Sequence, residues 1–172
     1  ASTQTPSMVD SRRRSFLRGD VRSVMAADAV AMPRPPWSLR PDSAFIEHCT
    51  RCGDCVRACP RGVLSAGDGG FPQISFSVAG CSLCGDCAKA CPTGAIDQAR
   101  RAEAFDWRVQ IDARCLNRRG VECRVCGDAC EARVLRFVPA RGGIAELQVD
   151  TAACTGCGDC VAVCPVGAIN LR

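Results

Sequence analysis

Cysteines are the candidate functional residues of this sequence. Sixteen of the 172 residues are cysteines, and they form four groups. Three groups read Cys-x-x-Cys-x-x-Cys-x-x-x-Cys-Pro and begin at Cys49, Cys81 and Cys154. The remaining group begins at Cys115 and is irregular, with seven residues before Cys123 and a glutamate in place of the proline. Cysteine at this density is typical of a metal protein or a disulfide scaffold.

The regular groups favour iron–sulfur clusters over zinc or disulfide bonds. Structural zinc sites pair two Cys-x-x-Cys units across a longer spacer, and disulfide bonds need an oxidising compartment. Three closely spaced thiolates followed by a fourth before a proline form the bacterial [4Fe–4S] pattern, in which the fourth thiolate binds the neighbouring cluster. We therefore expect the cysteines to bind iron. No acid–base pair or substrate pocket is evident, so we expect no enzymatic activity and no catalytic residue.

Exchange of the fourth cysteine within each half of the chain predicts four [4Fe–4S] clusters with four cysteines each, which we number as sites 1 to 4. The predicted ligands are Cys49, Cys52, Cys55 and Cys91 at site 1, Cys81, Cys84, Cys87 and Cys59 at site 2, Cys115, Cys123, Cys126 and Cys164 at site 3, and Cys154, Cys157, Cys160 and Cys130 at site 4. An alternative pairs the first group with the fourth and the second with the third. The repeat described next favours pairing within each half.

An internal repeat predicts the domain organisation. Residues 69–81 align with 142–154 without a gap, and the six residues from Cys91 align with the six from Cys164. We predict an α+β fold made of two tandem bacterial 2[4Fe–4S] ferredoxin-like units, at 41–100 and 101–172. Short strands are expected around the clusters, together with single helical turns such as 56–58; the predicted strands are 73–76, 107–111, 134–138 and 146–149.

Residues 1–40 are predicted to be a basic, proline-rich and irregular N-terminal arm. They hold seven arginines against three aspartates, whereas the charges of residues 41–172 balance. The arm resembles a twin-arginine export signal at residues 13–18, but Asp28 interrupts the apolar segment that export needs. We therefore expect a cytoplasmic protein. Because the basic excess is not on the folded body, nucleic acid is not the expected partner; an acidic protein or the anionic cytoplasmic face of a membrane fits better.

The third group contains a five-residue insertion between its first two cysteines. We interpret it as a longer loop around an ordinary cluster, because surface insertions cost little free energy. The alternative is a contact loop, with Arg118, Arg119 and Gly120, beside a more exposed and more labile cluster. His48 precedes a cysteine ligand, but the thiolate count is complete without it, so we expect it not to bind iron.

Aspartates follow glycines in the three regular cysteine loops, as Asp54, Asp86 and Asp159. We interpret all three as solvated turn residues. The two tryptophans, Trp37 and Trp107, are interpreted as packing residues.

The sequence resembles the NapF family of ferredoxin-type accessory proteins of periplasmic nitrate reductase systems. The resemblance is carried by the arginine-rich start, residues 34–38, residues 45–52, Asp106-Trp107 and the irregular third group. It extends from about residue 8 to the end of the sequence.

The resemblance implies a cytoplasmic protein with four clusters that binds the catalytic subunit NapA before export and helps to install the [4Fe–4S] cluster of that molybdenum enzyme. It also implies that the twin-arginine-like start is kept without export. The expected function is therefore that of a maturation factor. The alternatives are a low-potential electron-transfer polyferredoxin that delivers electrons to an oxidoreductase, and a redox or oxygen sensor.

Overall fold

Short helices and strands alternate along residues 33–172, the part of the chain that the computed structural model describes. The helices of this part are α1 (Asp42–His48), α2 (Asp54–Arg57), α3 (Asp86–Lys89), α4 (Val125–Asp128) and α5 (Asp159–Ala162). Its strands are β1 (Leu64–Ala66), β2 (Pro72–Ile74), β3 (Val109–Ile111), β4 (Leu135–Val138), β5 (Glu146–Val149) and β6 (Ile169–Leu171). Single 3-10 turns lie at Asp68–Gly70 and Asn117–Arg119. The predicted export-like segment lies outside the described residues.

The strands pair in antiparallel couples that follow the internal repeat. β1 pairs with β2 in the first half, and β4 pairs with β5 at the equivalent place in the second half. β3 pairs with β6, so that the beginning and end of the second half lie side by side. This mixture of short helices and short strands in two repeated halves fits the predicted tandem ferredoxin-like arrangement.

Residues 33–40 pack against the first half instead of extending as the linker that their prolines predict. Ser38 forms an antiparallel bridge with Ile96. The backbone N–H of Leu39 donates to the carbonyl oxygen of Ala95 at 3.0 Å. The segment therefore runs beside the end of the first unit as an outer strand would.

Comparison with the second half shows why residues 33–40 pack as part of the first unit. There β3 occupies the corresponding place, and its Ile111 pairs with Ile169 of β6. Ile169 aligns with Ile96 in the repeat, because each lies five residues after its cysteine. Residues 33–40 thus supply the outer edge of the first unit, which begins before the predicted boundary at residue 41.

Two clusters of buried side chains form the core, and cysteines contribute to both. The first contains Phe45, Leu64 and Ile96, and the second contains Val109, Leu135 and other aliphatic residues. The first also takes in Phe105, which the sequence places in the second unit, so the two halves share packed surface. Among the described residues no helix is long and apolar enough to cross a membrane.

The strand predictions agree best where the apolar alternation is regular. β5 has the bounds predicted for it, and β4 begins one residue later than predicted. β2 ends at Ile74 and β3 begins only at Val109, although the flanking Ser75 and Arg108 still make backbone hydrogen bonds to Val63 and Arg172. The short β1, β6 and α1 were not predicted; each offers only one fully buried apolar residue, at Leu64, Ile169 and Phe45 respectively.

Candidate metal centres

The structure brings the four cysteines of each predicted set together around one cavity. Each of the four cavities is lined by all four cysteines of one set. The first two cysteine groups share sites 1 and 2, and the last two groups share sites 3 and 4. The geometry therefore follows the repeat, with pairing inside each half.

The cysteine side chains surround these cavities and do not converge on one point. Within residues 33–172, no group of three His, Cys, Asp or Glu side chains could hold a single metal ion. Four sulfurs of a zinc site would each lie about 2.3 Å from one ion. Four thiols that line one cavity without converging on a single point instead fit a polynuclear cluster that takes one thiolate at each iron.

Short helices connect the predicted ligands of neighbouring sites. In the first half, α2 holds Cys55 of site 1 and leads to Cys59 of site 2, whereas α3 holds Cys87 of site 2 and leads to Cys91 of site 1. One helical turn separates the two cysteines in each case, so the second sulfur points to the adjacent cavity. The helices α4 and α5 repeat this arrangement in the second half.

Left-handed backbone shapes the loops of sites 1, 2 and 4. Each of α2, α3 and α5 begins after a left-handed glycine, Gly53, Gly85 and Gly158. Glycine adopts this conformation without a steric penalty. A second left-handed residue lies two positions earlier in each loop, and alternation of this kind turns backbone N–H groups toward a shared concavity that suits an anion; these residues are Arg51, Leu83 and Gly156.

Two backbone N–H groups contact sulfurs of the predicted ligands. Leu83 donates to Sγ of Cys81 at 3.4 Å, and Ala168 donates to Sγ of Cys164 at 3.3 Å. Such contacts favour the thiolate form and tune the potential of a bound cluster.

The loop of site 3 is built differently. Helix α4 begins after Arg124, whose φ is −129°, so the left-handed glycine of the other loops has no counterpart here. The inserted residues form a 3-10 turn, and the side-chain amide of Asn117 donates to the carbonyl oxygen of Ala145 at 2.8 Å. The insertion is therefore an anchored loop that forms one wall of the cavity through Leu116.

Burial raises the pKa of the central cysteine at every site. The pKa rises to about 11 at Cys55 and Cys126, and to about 12 at Cys87 and Cys160. The main cause is loss of hydration, and the charges of neighbouring thiolates add to it. In the absence of iron these thiols keep their protons at neutral pH, so binding of iron must displace them.

Other residues considered from the sequence lie away from the cavities or in packing roles. Nδ1 of His48 lies 2.8 Å from the carbonyl oxygen of Ala44, one turn back on α1, and the residue lines no cysteine cavity of the described chain. Trp37 is buried, and Nε1 of Trp107 donates to the carbonyl oxygen of Gly156 at 2.9 Å. Both tryptophans therefore pack as predicted.

Asp159 is the residue that the sequence interpretation missed. Its carboxylate accepts hydrogen bonds from Arg61 and from the backbone of Gly80 in the other half, whereas Asp86 pairs locally with Lys89. The cysteine motif cannot distinguish these aspartates. The repeat does contain a signal for this contact. Gly80 of the first half aligns with Ala153 of the second, so the first half has a residue without a side chain where the second half has one with a Cβ.

Comparison with known proteins matches part of each half of the chain to one domain family. Residues 48–95 and 119–168 match the 4Fe-4S dicluster domain family. Together with the sixteen cysteines, the two matches define a [4Fe–4S] protein of the ferredoxin type.

Relatives that match along most of the chain identify the family within the class of ferredoxin-type [4Fe–4S] proteins. The chain is 42% identical over 165 residues to the ferredoxin-type protein NapF of Haemophilus influenzae, covering 93% of each chain. It is 41% identical over 162 residues to the ferredoxin-type protein NapF of Escherichia coli, covering 94% of each. A methylamine utilization ferredoxin-type protein, MauM of Methylorubrum extorquens, is 36% identical over 169 residues, covering 88% of this chain and 76% of MauM. The chain belongs to the NapF family of ferredoxin-type proteins.

Proposed function

We propose that this protein is a cytoplasmic maturation factor for the catalytic subunit of periplasmic nitrate reductase, NapA. In this proposal it binds four [4Fe–4S] clusters on its sixteen cysteines and assists insertion of the NapA cluster before export. It has no enzymatic activity of its own. The proposal rests on membership of the NapF family, whose relatives match 93–94% of the chain, and on one feature of site 3.

The chemistry of the donor set supports four resident clusters. Each cavity offers four thiols, and backbone N–H groups reach sulfurs at sites 2 and 3. A [4Fe–4S] cluster held in this way supplies one-electron chemistry. The protein's own part is to hold the cluster, exclude water from the buried sulfurs and present one site to a partner.

An exposed apolar rim at site 3 is the observation that carries the maturation proposal. Val121, Val125 and Val163 are 50%, 44% and 39% exposed. Val125 lines the cavity of site 3, and Val163 directly precedes a ligand of that site. Val121 is tied to the same wall, because its N–H donates to the carbonyl oxygen of Leu116 at 2.9 Å.

Positive charge adjoins this rim. Arg118 and Arg119 lie on the 3-10 turn of the insertion, and neither forms an ion pair with a carboxylate of the described residues. Exposed apolar residues grouped beside basic ones are typical of a protein-binding surface. The surface fits an immature NapA that presents apolar residues with carboxylates around them.

Transfer of labelled iron tests the proposal. The protein is loaded anaerobically with isotopically labelled iron and mixed with unlabelled, cluster-free NapA, and both proteins are then separated and assayed. Label and nitrate-reducing activity are expected to arrive on NapA together. Val125→Asp should reduce both, because it places a charge at the rim, whereas Val78→Asp, at a valine 89% exposed and remote in sequence from site 3, should reduce neither. Absence of label and of binding would contradict the proposal.

Electron transfer is the second candidate function, and a contact between the two halves favours it. The backbone N–H of Cys81 at site 2 donates to the carbonyl oxygen of Cys157 at site 4 at 2.7 Å. The labelling experiment separates the two functions. Activity that appears on NapA without label would mean that this protein supplies electrons or acts as a chaperone instead of donating its cluster.

A further inference from the structure

We infer that the contact between Cys81 and Cys157 makes sites 2 and 4 the inner pair of one continuous series of sites, so that electrons pass between the two halves at this point. The order along the series is site 1, site 2, site 4, site 3. This inference rests on the four clusters of the proposed function and adds to it a specific route between the halves.

The path between the two ligands is short and almost entirely covalent. From Sγ of Cys81 it runs through the side chain to the backbone N–H, across the 2.7 Å hydrogen bond to the carbonyl oxygen of Cys157, and on to Sγ of that residue. Cys81 lines site 2 and Cys157 lines site 4. A single hydrogen bond is thus the only non-covalent step between the ligands of the two halves.

A salt bridge holds the two loops together at this point. Oδ1 of Asp159 accepts from Nη2 of Arg61 at 2.9 Å and from the N–H of Gly80 at 3.2 Å. Nε of Arg61 also donates to the carbonyl oxygen of Gly80 at 3.1 Å. Asp159 and Arg61 therefore fasten the loop of site 2 to the loop of site 4 next to the Cys81–Cys157 hydrogen bond.

Aromatic packing closes the junction beside the salt bridge. Phe76 from the first half meets the stacked pair of Phe105 and Trp107 edge-on, with ring centroids 6.2 and 6.1 Å away. The ring of Phe76 also lies against Gly158, where any side chain would collide with it.

The burial of the cysteines agrees with this order. Sites 2 and 4 each have two buried cysteines, whereas sites 1 and 3 each have one. The two inner sites therefore keep more of their cysteines buried than the two outer sites do. In each transfer a cluster in one half loses one electron and a cluster in the other half gains it. An external one-electron reductant of low potential supplies that electron to the protein.

Gly80→Ala is the sharpest perturbation of the junction. A Cβ at Gly80 would lie 2.4 Å from the backbone nitrogen of Asp159, so the two loops must separate. The change brings no backbone strain, because Gly80 is not left-handed, and the aligned position in the second half is already an alanine, Ala153. Asp159→Ala weakens the same junction, and Asp86→Ala is the matched control, since it removes an aspartate whose pair is local.

The test uses the full chain, loaded with iron and sulfide and fully reduced with dithionite under anaerobic conditions. Electron paramagnetic resonance then measures magnetic interaction between reduced clusters. Two double variants supply the spectra of single halves, Cys55→Ala/Cys87→Ala for the second half and Cys126→Ala/Cys160→Ala for the first. We expect the wild-type spectrum to differ from the sum of the two halves, and the spectrum of Gly80→Ala to match that sum.

A direct comparison keeps the inference falsifiable if a double variant does not fold. Spin relaxation of the reduced clusters should slow in Gly80→Ala and Asp159→Ala and stay unchanged in Asp86→Ala. Equal relaxation in the wild type and Gly80→Ala, at full iron content, would overturn the junction and leave the proposed function standing. Wild-type protein with less iron than one atom per cysteine would overturn the four-cluster assignment, and the junction with it.

Discussion

Asp42→Asn is expected to speed the unfolding of the first half, because it leaves a buried arginine without its counter-charge. Arg34 is 5% exposed, and its guanidinium makes two parallel contacts with the Asp42 carboxylate, at 2.6 and 2.9 Å. It also lies 4.9 Å from the ring centroid of Phe45 and 5.5 Å from that of Phe71. The hydrogen bond from Arg34 lowers the pKa of Asp42, as expected for a stabilised carboxylate.

The magnitude follows from the unequal exposure of the two partners. Removing one member of a buried ion pair costs about 3–5 kcal/mol. The Asp42 side chain is 44% exposed, so water can solvate part of the orphaned charge, and we expect about 2 kcal/mol. If the pair is lost in the unfolding transition state, unfolding becomes roughly thirtyfold faster. Arg34→Met removes the buried charge itself, so we expect a cost of no more than about 1 kcal/mol.

The assay is the loss of visible cluster absorption when the anaerobic protein is mixed with guanidinium chloride. Asp42→Asn should lose colour fastest, and the double variant Arg34→Met/Asp42→Asn should resemble Arg34→Met alone, because the two changes share one interaction. If the unfolding rate of the double variant rises by the product of the two single-variant increases, Arg34 and Asp42 do not act as a unit. The reasoning is refuted if Arg34→Met unfolds faster than Asp42→Asn.

The remaining predictions concern single sites. Gly158 is left-handed and a Cβ there would lie 2.4 Å from the Phe76 ring, so Gly158→Ala should destabilise site 4 by about 2–4 kcal/mol. Gly167 is also left-handed but has open space around it, so Gly167→Ala should cost about 1 kcal/mol. Thermal loss of cluster absorption compares the two variants, and equal losses would contradict the steric argument. Cys126→Ala should lose the cluster of site 3 and keep the clusters of sites 1 and 2, as measured by iron content and the spectrum of the reduced protein. Loss of the clusters of sites 1 and 2 as well would contradict the independence of the two halves. Removal of iron with a chelator should unfold both halves, because the cysteines complete small cores; circular dichroism unchanged by chelation would contradict this.

The cysteine sets could be predicted because ligand spacing and the internal repeat constrain them jointly. A turn of helix after Cys55 or Cys87 carries the next cysteine to the neighbouring cavity, and this needs no tertiary information. The structure brings each set together, and binding of iron by all four sets stays a prediction. β5 was predictable for a similar reason, since its bounds follow local alternation.

The parts that the sequence did not reveal depend on contacts between distant residues. The prolines of residues 33–40 predict an extended linker, whereas the segment turns at residues 36–37 and packs as the outer edge of the first unit. Nothing local separates Asp159 from Asp86; only the opposing loop at Gly80 does. The irregular third loop also proves to be anchored by Asn117. The insertion is thus both a longer loop, as predicted, and an ordered wall of its site.

Iron and sulfide content tests the central claim most directly. The claim is that every one of the sixteen cysteines serves a [4Fe–4S] cluster. Anaerobically purified protein, analysed for iron and acid-labile sulfide and by native mass spectrometry, should contain one iron and one sulfide for each cysteine. Half that content, with the second half of the chain empty, or zinc in place of iron, would contradict the account.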